Sequence, residues 1–93
     1  MRKVEAEQIM KNKGFSLNVY DLEILWEFEA EDVELKTKLC KIFGVDVGEP
    51  EKVILQCREN FTNCIFYYDC NVIDMEAVDF IECVKQMDDV RPI

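Results

Sequence analysis

Between Tyr20 and Ala30 every second residue is apolar: Tyr20, Leu22, Ile24, Trp26, Phe28 and Ala30. The positions between them hold Asp21, Glu23, Leu25, Glu27 and Glu29. On a helix, Glu23 and Glu27 would share much of one surface with the chain's only tryptophan. An extended strand sorts them onto opposite faces. The run over 19–30 therefore predicts a strand with Trp26 on a buried face and Glu23, Leu25, Glu27 and Glu29 on the other. Such a strand requires partner strands, and its apolar face requires a covering layer.

The remaining segments supply both. Residues 2–13 predict a helix, with Val4, Ala6, Ile9 and Met10 on one side and Gly14-Phe15 as its C-terminal cap. Asp32 is an N-cap candidate for a second helix, in which Leu35, Leu39, Ile42 and Phe43 recur at helical spacing until Gly44. Residues 52–69 predict a hairpin turning around Glu59 to Thr62. Pairing those two residues sets Cys57 opposite Cys64, Leu55 opposite Phe66 and Val53 opposite Tyr68. Ile54, Gln56, Arg58, Asn63, Ile65 and Tyr67 then fall on the second hairpin face, to be covered by the first helix or by a partner. Asp74 is an N-cap candidate for a last helix reaching Met87, and DVRPI reads as a loose tail.

The order helix, strand, helix, strand, strand, helix predicts an α+β fold, α-β-α-β-β-α, with a three-stranded antiparallel or mixed sheet packed by helices. In topology it resembles an incomplete ferredoxin-like (split βαβ) unit, a resemblance that carries no function. With 93 residues, 49% of them hydrophobic, the expectation is a single small acidic domain over 1–93.

Charge and residue usage narrow the function. No apolar stretch has the length of a membrane span, and the first residues lack the apolar region of a signal peptide, so a cytoplasmic location is expected. The five cysteines (Cys40, Cys57, Cys64, Cys70, Cys83) have no CxxC spacing and no histidine accompanies them, so they read as small hydrophobes; no metal or other cofactor is expected. Lacking histidine, and with Ser16 its only serine, the chain has no Ser-His-Asp arrangement, nor does it carry a phosphate-binding glycine loop. A non-enzymatic role is expected.

The net charge of −9 is unevenly placed. From Asp21 to Glu34 there are seven acids and no base, and from Asp69 to Asp89 seven acids and only Lys85. Phosphate contacts need clustered Lys and Arg, so direct binding to nucleic acid or to an anionic membrane is disfavoured and a basic partner is favoured.

Alternation of polar and apolar residues is also the ordinary pattern of a sheet with one solvated face. Here, however, the acids are not interspersed with bases, and Leu25 stands among them as an apolar anchor in a charged surround. The partner-binding candidates are accordingly Glu23, Leu25, Glu27, Glu29, Glu31, Asp32 and Glu34. Carboxylates two residues apart on a strand repeat at about 6.5 Å, a pitch suited to a groove built for nucleic acid.

Small size, missing catalytic groups and concentrated acidity resemble, in bulk and without a shared motif, phage anti-defence inhibitors such as anti-CRISPR proteins and the immunity proteins of nuclease toxins. That resemblance implies an inhibitor that occludes the basic, nucleic-acid-binding surface of a larger protein. The alternative expectation is a structural or adaptor subunit of a homo- or hetero-oligomer, using Ile54, Ile65 and Tyr67 as its interface.

Overall fold

The computed structural model of the chain describes residues 2–87. In chain order the elements are α1 (Lys3–Asn12), β1 (Ser16–Tyr20), β2 (Glu23–Ala30), α2 (Val33–Ile42), β3 (Val53–Arg58), β4 (Cys64–Tyr68), β5 (Asn71–Met75) and α3 (Ala77–Lys85). The α+β class is as expected, but the sheet has five strands rather than three. They are ordered β1-β2-β3-β4-β5, each antiparallel to its neighbours. The split βαβ resemblance also fails: α2 joins β2 to β3, which are adjacent and antiparallel, so it is not a parallel crossover.

Two backbone reversals create the additional strands. Asp21 and Leu22 have φ of +45° and +72°, the left-handed conformation that a two-residue hairpin loop imposes on both of its residues. The long alternation thus folds back on itself, with Tyr20 opposite Glu23 and Leu17 opposite Trp26. Leu22, expected in the core, is instead the 99% exposed turn residue. Tyr20 passes to the face opposite Trp26, because the turn shifts its parity relative to β2. Asp21 suits the first loop position, but Leu22 stands where Gly is usual, so Tyr-Asp-Leu-Glu carries only half of the conventional turn signal.

The second reversal is at Asp69, with φ +50°. Asp69 and Cys70 form the loop, and residues 71–75 return as β5 alongside β4. Asp74, expected to cap the last helix, lies instead in β5 opposite Ile65. Glu76 takes the N-cap position, without a side-chain hydrogen bond. Asp69 also binds inward: its Oδ1 accepts from the backbone N–H of Glu51 (2.8 Å) and Lys52 (3.1 Å), fastening the segment that leads into β3.

The central hairpin keeps its expected register at Val53–Tyr68 and Leu55–Phe66. Its loop differs: Arg58 N–H donates to the Thr62 carbonyl (3.1 Å) and Phe61 N–H to the Arg58 carbonyl (2.8 Å), replacing the expected Glu59–Thr62 pair. Phe61 and Asn63 take positive φ to make this possible.

The N-terminus of α2 and the C-termini of α1 and α2 follow the sequence signals. Asp32 Oδ1 accepts the Leu35 N–H at 2.8 Å, satisfying an orphan donor of α2. Gly14 (φ +91°) and Gly44 (φ +76°) end α1 and α2 in the same way. Phe15 N–H reaches the Met10 carbonyl and Val45 N–H the Cys40 carbonyl, the Schellman pattern that requires a left-handed residue.

All three helices contribute to a core on one sheet face. Ala6 and Met10, Leu39 and Cys40, and Phe80, Ile81 and Val84 are buried with Trp26, Phe28, Leu55, Cys57, Cys64 and Phe66. Phe43 stacks on Phe66 at 4.5 Å, and Phe15 meets Phe28 at 5.5 Å. Burying each such large side chain stabilises the fold by roughly 1.5–3 kcal/mol. α2 packs over β3, α3 over β4, and α1 beside α3, so the helical layer is centred on the middle of the sheet. The DVRPI segment lies outside the described residues.

Candidate interaction surface

Antiparallel pairing places directly opposite residues on the same face, and the register therefore defines what the helix-free face carries. β2 presents Glu23, Leu25, Glu27 and Glu29; β3 presents Ile54, Gln56 and Arg58; β4 presents Ile65 and Tyr67. The acidic candidates of β2 and the apolar candidates Ile54, Ile65 and Tyr67, derived from the sequence as alternatives, occupy one continuous surface. Glu29 is directly opposite Ile54, and Ile54 directly opposite Tyr67.

The flanking strands add residues that sequence reasoning missed. β1 supplies Asn18 and Tyr20, and β5 supplies Val72 and Asp74. The short alternation Ile73, Asp74, Met75 is the signal that could have disclosed β5. It is masked by the acids that also suit a helix start.

Glu27 lies at the hydrogen-bonded centre of this face. Its Oε1 accepts from Asn18 Nδ2 and from the Tyr20 hydroxyl, both at 2.8 Å, and its Oε2 accepts from Gln56 Nε2 at 2.6 Å. Burial pushes this carboxyl up, but the three hydrogen bonds outweigh burial and hold it below the ordinary range near 4.5. Conversely, the hydrogen bond to Glu27 is the largest influence raising the Tyr20 hydroxyl above its ordinary 10.0. Glu27 thus binds three strands together while keeping its charge.

Glu23 is paired with Arg58 (Oε1 to Nη2, 2.6 Å), both side chains about half exposed. The row of carboxylates is therefore not a row of equivalent free charges. Leu25 interrupts it, Arg58 balances Glu23, and Glu27 is committed to its neighbours. Glu29 is exposed at the end nearest the β2–α2 junction.

Glu31, Asp32 and Glu34 are not on the sheet face. They follow β2, where Asp32 caps α2 and Glu34 lies in its first turn. With Glu29 and Lys38 they border a shallow depression floored by Phe28 and Leu35. The acidic tract consequently turns a corner, from the bare face to the start of α2.

The thiols divide by environment. Cys40, Cys57 and Cys64 are buried, Cys83 is partly buried and Cys70 is exposed in the β4–β5 loop. The hydrogen bond with Cys64, reinforced by burial, pushes the Cys57 thiol well up; burial followed by the Asp69 charge raises Cys40. Among the described residues no group of three or more Cys, Asp or Glu is arranged to hold a metal ion. No described helix is long and apolar enough to cross a membrane.

The fold and this surface define a class: an antiparallel sheet backed by helices on one side, with the other side bare of helices among the described residues, partly apolar and rimmed by acids. Comparison with family models, curated proteins and solved structures returned no match that would narrow the class further.

Proposed function

We propose that the chain is a non-enzymatic binding module whose bare sheet face docks on a basic surface of a larger protein and occludes it. The nucleic-acid-binding site of that protein is the surface class such a module suits. The observation that supports this reading is the coincidence, on one helix-free face, of the apolar cluster Leu25, Ile54, Ile65 and Tyr67 with the carboxylates of Glu23, Glu27 and Glu29. Apolar residues supply the area desolvated on contact. The carboxylates steer approach and select a positive partner.

The test separates charge from fold. Glu27→Lys would disrupt three structural hydrogen bonds, so the informative substitutions are Glu29→Lys for charge and Leu25→Arg with Tyr67→Ser for the apolar centre. Binding to immobilised basic nucleic-acid-binding proteins should weaken steeply with salt and be lost in both variants, while thermal unfolding of the free chain changes little. Retained binding in both variants overturns the proposal. Use of Ile54, Ile65 and Tyr67 in a salt-insensitive subunit contact is the second reading, and a face-dependent complex that survives high salt would favour it.

A further inference from the structure

The β1–β2 hairpin differs from the rest of the sheet in having uncovered apolar residues on the helix side as well. Leu17 and Val19 fall on the Trp26 side of the sheet, yet they are 47% and 69% exposed; Ile24, opposite Val19, is also exposed. The helical layer centres on β3 and β4 and leaves this corner open. β1 is moreover an edge strand, and the stretch from Gly14 to Tyr20 has no charged residue in a chain of net charge −9. Natural edge strands are normally protected by charge, proline or a bulge; among the β1 residues, Ser16 to Tyr20, there is neither charge nor proline. The opposite edge, β5, does carry Asp74.

The hydrogen-bond phase of β1 fixes what its open side offers. A two-residue hairpin loop is closed by a hydrogen-bonded pair, here Tyr20–Glu23, so Asn18–Leu25 is bonded and Val19–Ile24 and Leu17–Trp26 are not. The Ile24 carbonyl confirms this phase, because it turns toward β3 and accepts the Glu59 N–H at 2.9 Å. The backbone N–H and C=O groups of Leu17 and Val19 therefore point away from the sheet.

We propose that β1 pairs with β1 of a second copy of this chain, antiparallel about a two-fold axis at Asn18, joining two sheets into one. In that register Leu17 meets Val19 of the other copy in a hydrogen-bonded pair on each side of the axis, and Ser16 lies across from Tyr20. The exposed Leu17, Val19 and Ile24 of both copies form one apolar strip on the helix side. A neutral, apolar strand in an acidic molecule selects a neutral counterpart. Its own copy supplies one with matching phase, and no like charges lie opposite each other within the paired strands. This contact goes beyond the binding reading above: it uses the sheet edge rather than its bare face, and salt should strengthen it by screening repulsion between two acidic chains.

Sedimentation equilibrium of the full chain, in low salt and in about 0.5 M salt, tests the pairing. A dimer is expected, tighter in high salt. Val19→Pro removes an outward N–H without breaking the ladder to β2, and should weaken the dimer at least about tenfold, since both copies lose the bond. Amide exchange is a second readout: Leu17 and Val19 should gain protection as concentration rises, while Asn18 is protected throughout. A chain that remains monomeric to about 300 µM, or a dimer unaffected by Val19→Pro, overturns the proposal.

Discussion

The two faces of the sheet are built from the same strands but obey different rules. On the helix side, Trp26, Leu55 and Phe66 are almost wholly excluded from solvent, and away from the open β1–β2 corner the side chains pack against close neighbours. On the other side, Ile54, Ile65 and Tyr67 are only partly buried beside Glu27 and its hydrogen-bonded partners. Packing determines residue identity on the first face. On the second, residues are free to be chosen for what they present, and what they present is apolar area within negative charge.

That contrast is broken most directly by truncation on the buried face. Trp26→Ala should cost about 3–5 kcal/mol in chemical denaturation, whereas Ile65→Thr on the bare face should cost less than about 1 kcal/mol. Equal costs would mean that the second face is as tightly packed as the first.

Glu27 is the exception that sharpens the comparison, being a bare-face residue with a structural role. Glu27→Ala should destabilise by about 1–2 kcal/mol by releasing three donors. Because the folded state holds this carboxyl below the ordinary range near 4.5, its contribution is complete above that range and is lost as pH falls through the folded value. The difference in stability between wild type and variant should therefore be largest near neutral pH and shrink in acid.

The hairpin tip bears on the comparison from a third side. Leu22→Gly relieves a left-handed leucine and should raise stability by about 1 kcal/mol, since the exposed side chain loses no packing. The smallest expected effect is chemical rather than energetic. Cys70 should react first with a thiol reagent, Cys83 more slowly, and Cys40, Cys57 and Cys64 only on unfolding. Early labelling of Cys57 or Cys64 would show that the buried face opens.

Much of this was legible in the residues. The Trp26–Phe28–Ala30 periodicity, the Asp32 cap, the glycine-terminated helices and the Val53–Tyr68 register all arise from interactions within a few residues or across one hairpin. The interruption at Asp21-Leu22 was not, because Leu22 is disfavoured at positive φ; pairing of β1 with β2 holds it there. The reversal at Asp69, also at positive φ, is likewise set by the pairing of β4 with β5, and with it the assignment of Asp74 to a strand rather than a cap.

The sequence by itself determined the class of fold, the buried Trp26–Phe28–Ala30 face and the concentration of acid around β2, because side-chain period and charge are local properties of the chain. Only the tertiary structure decided that Glu23, Leu25, Glu27 and Glu29 share a surface with Ile54, Ile65 and Tyr67. It alone decided that Glu27 is tied to three neighbours and that β1 is an open edge. Those facts depend on strand order and register, which are set when distant segments pair.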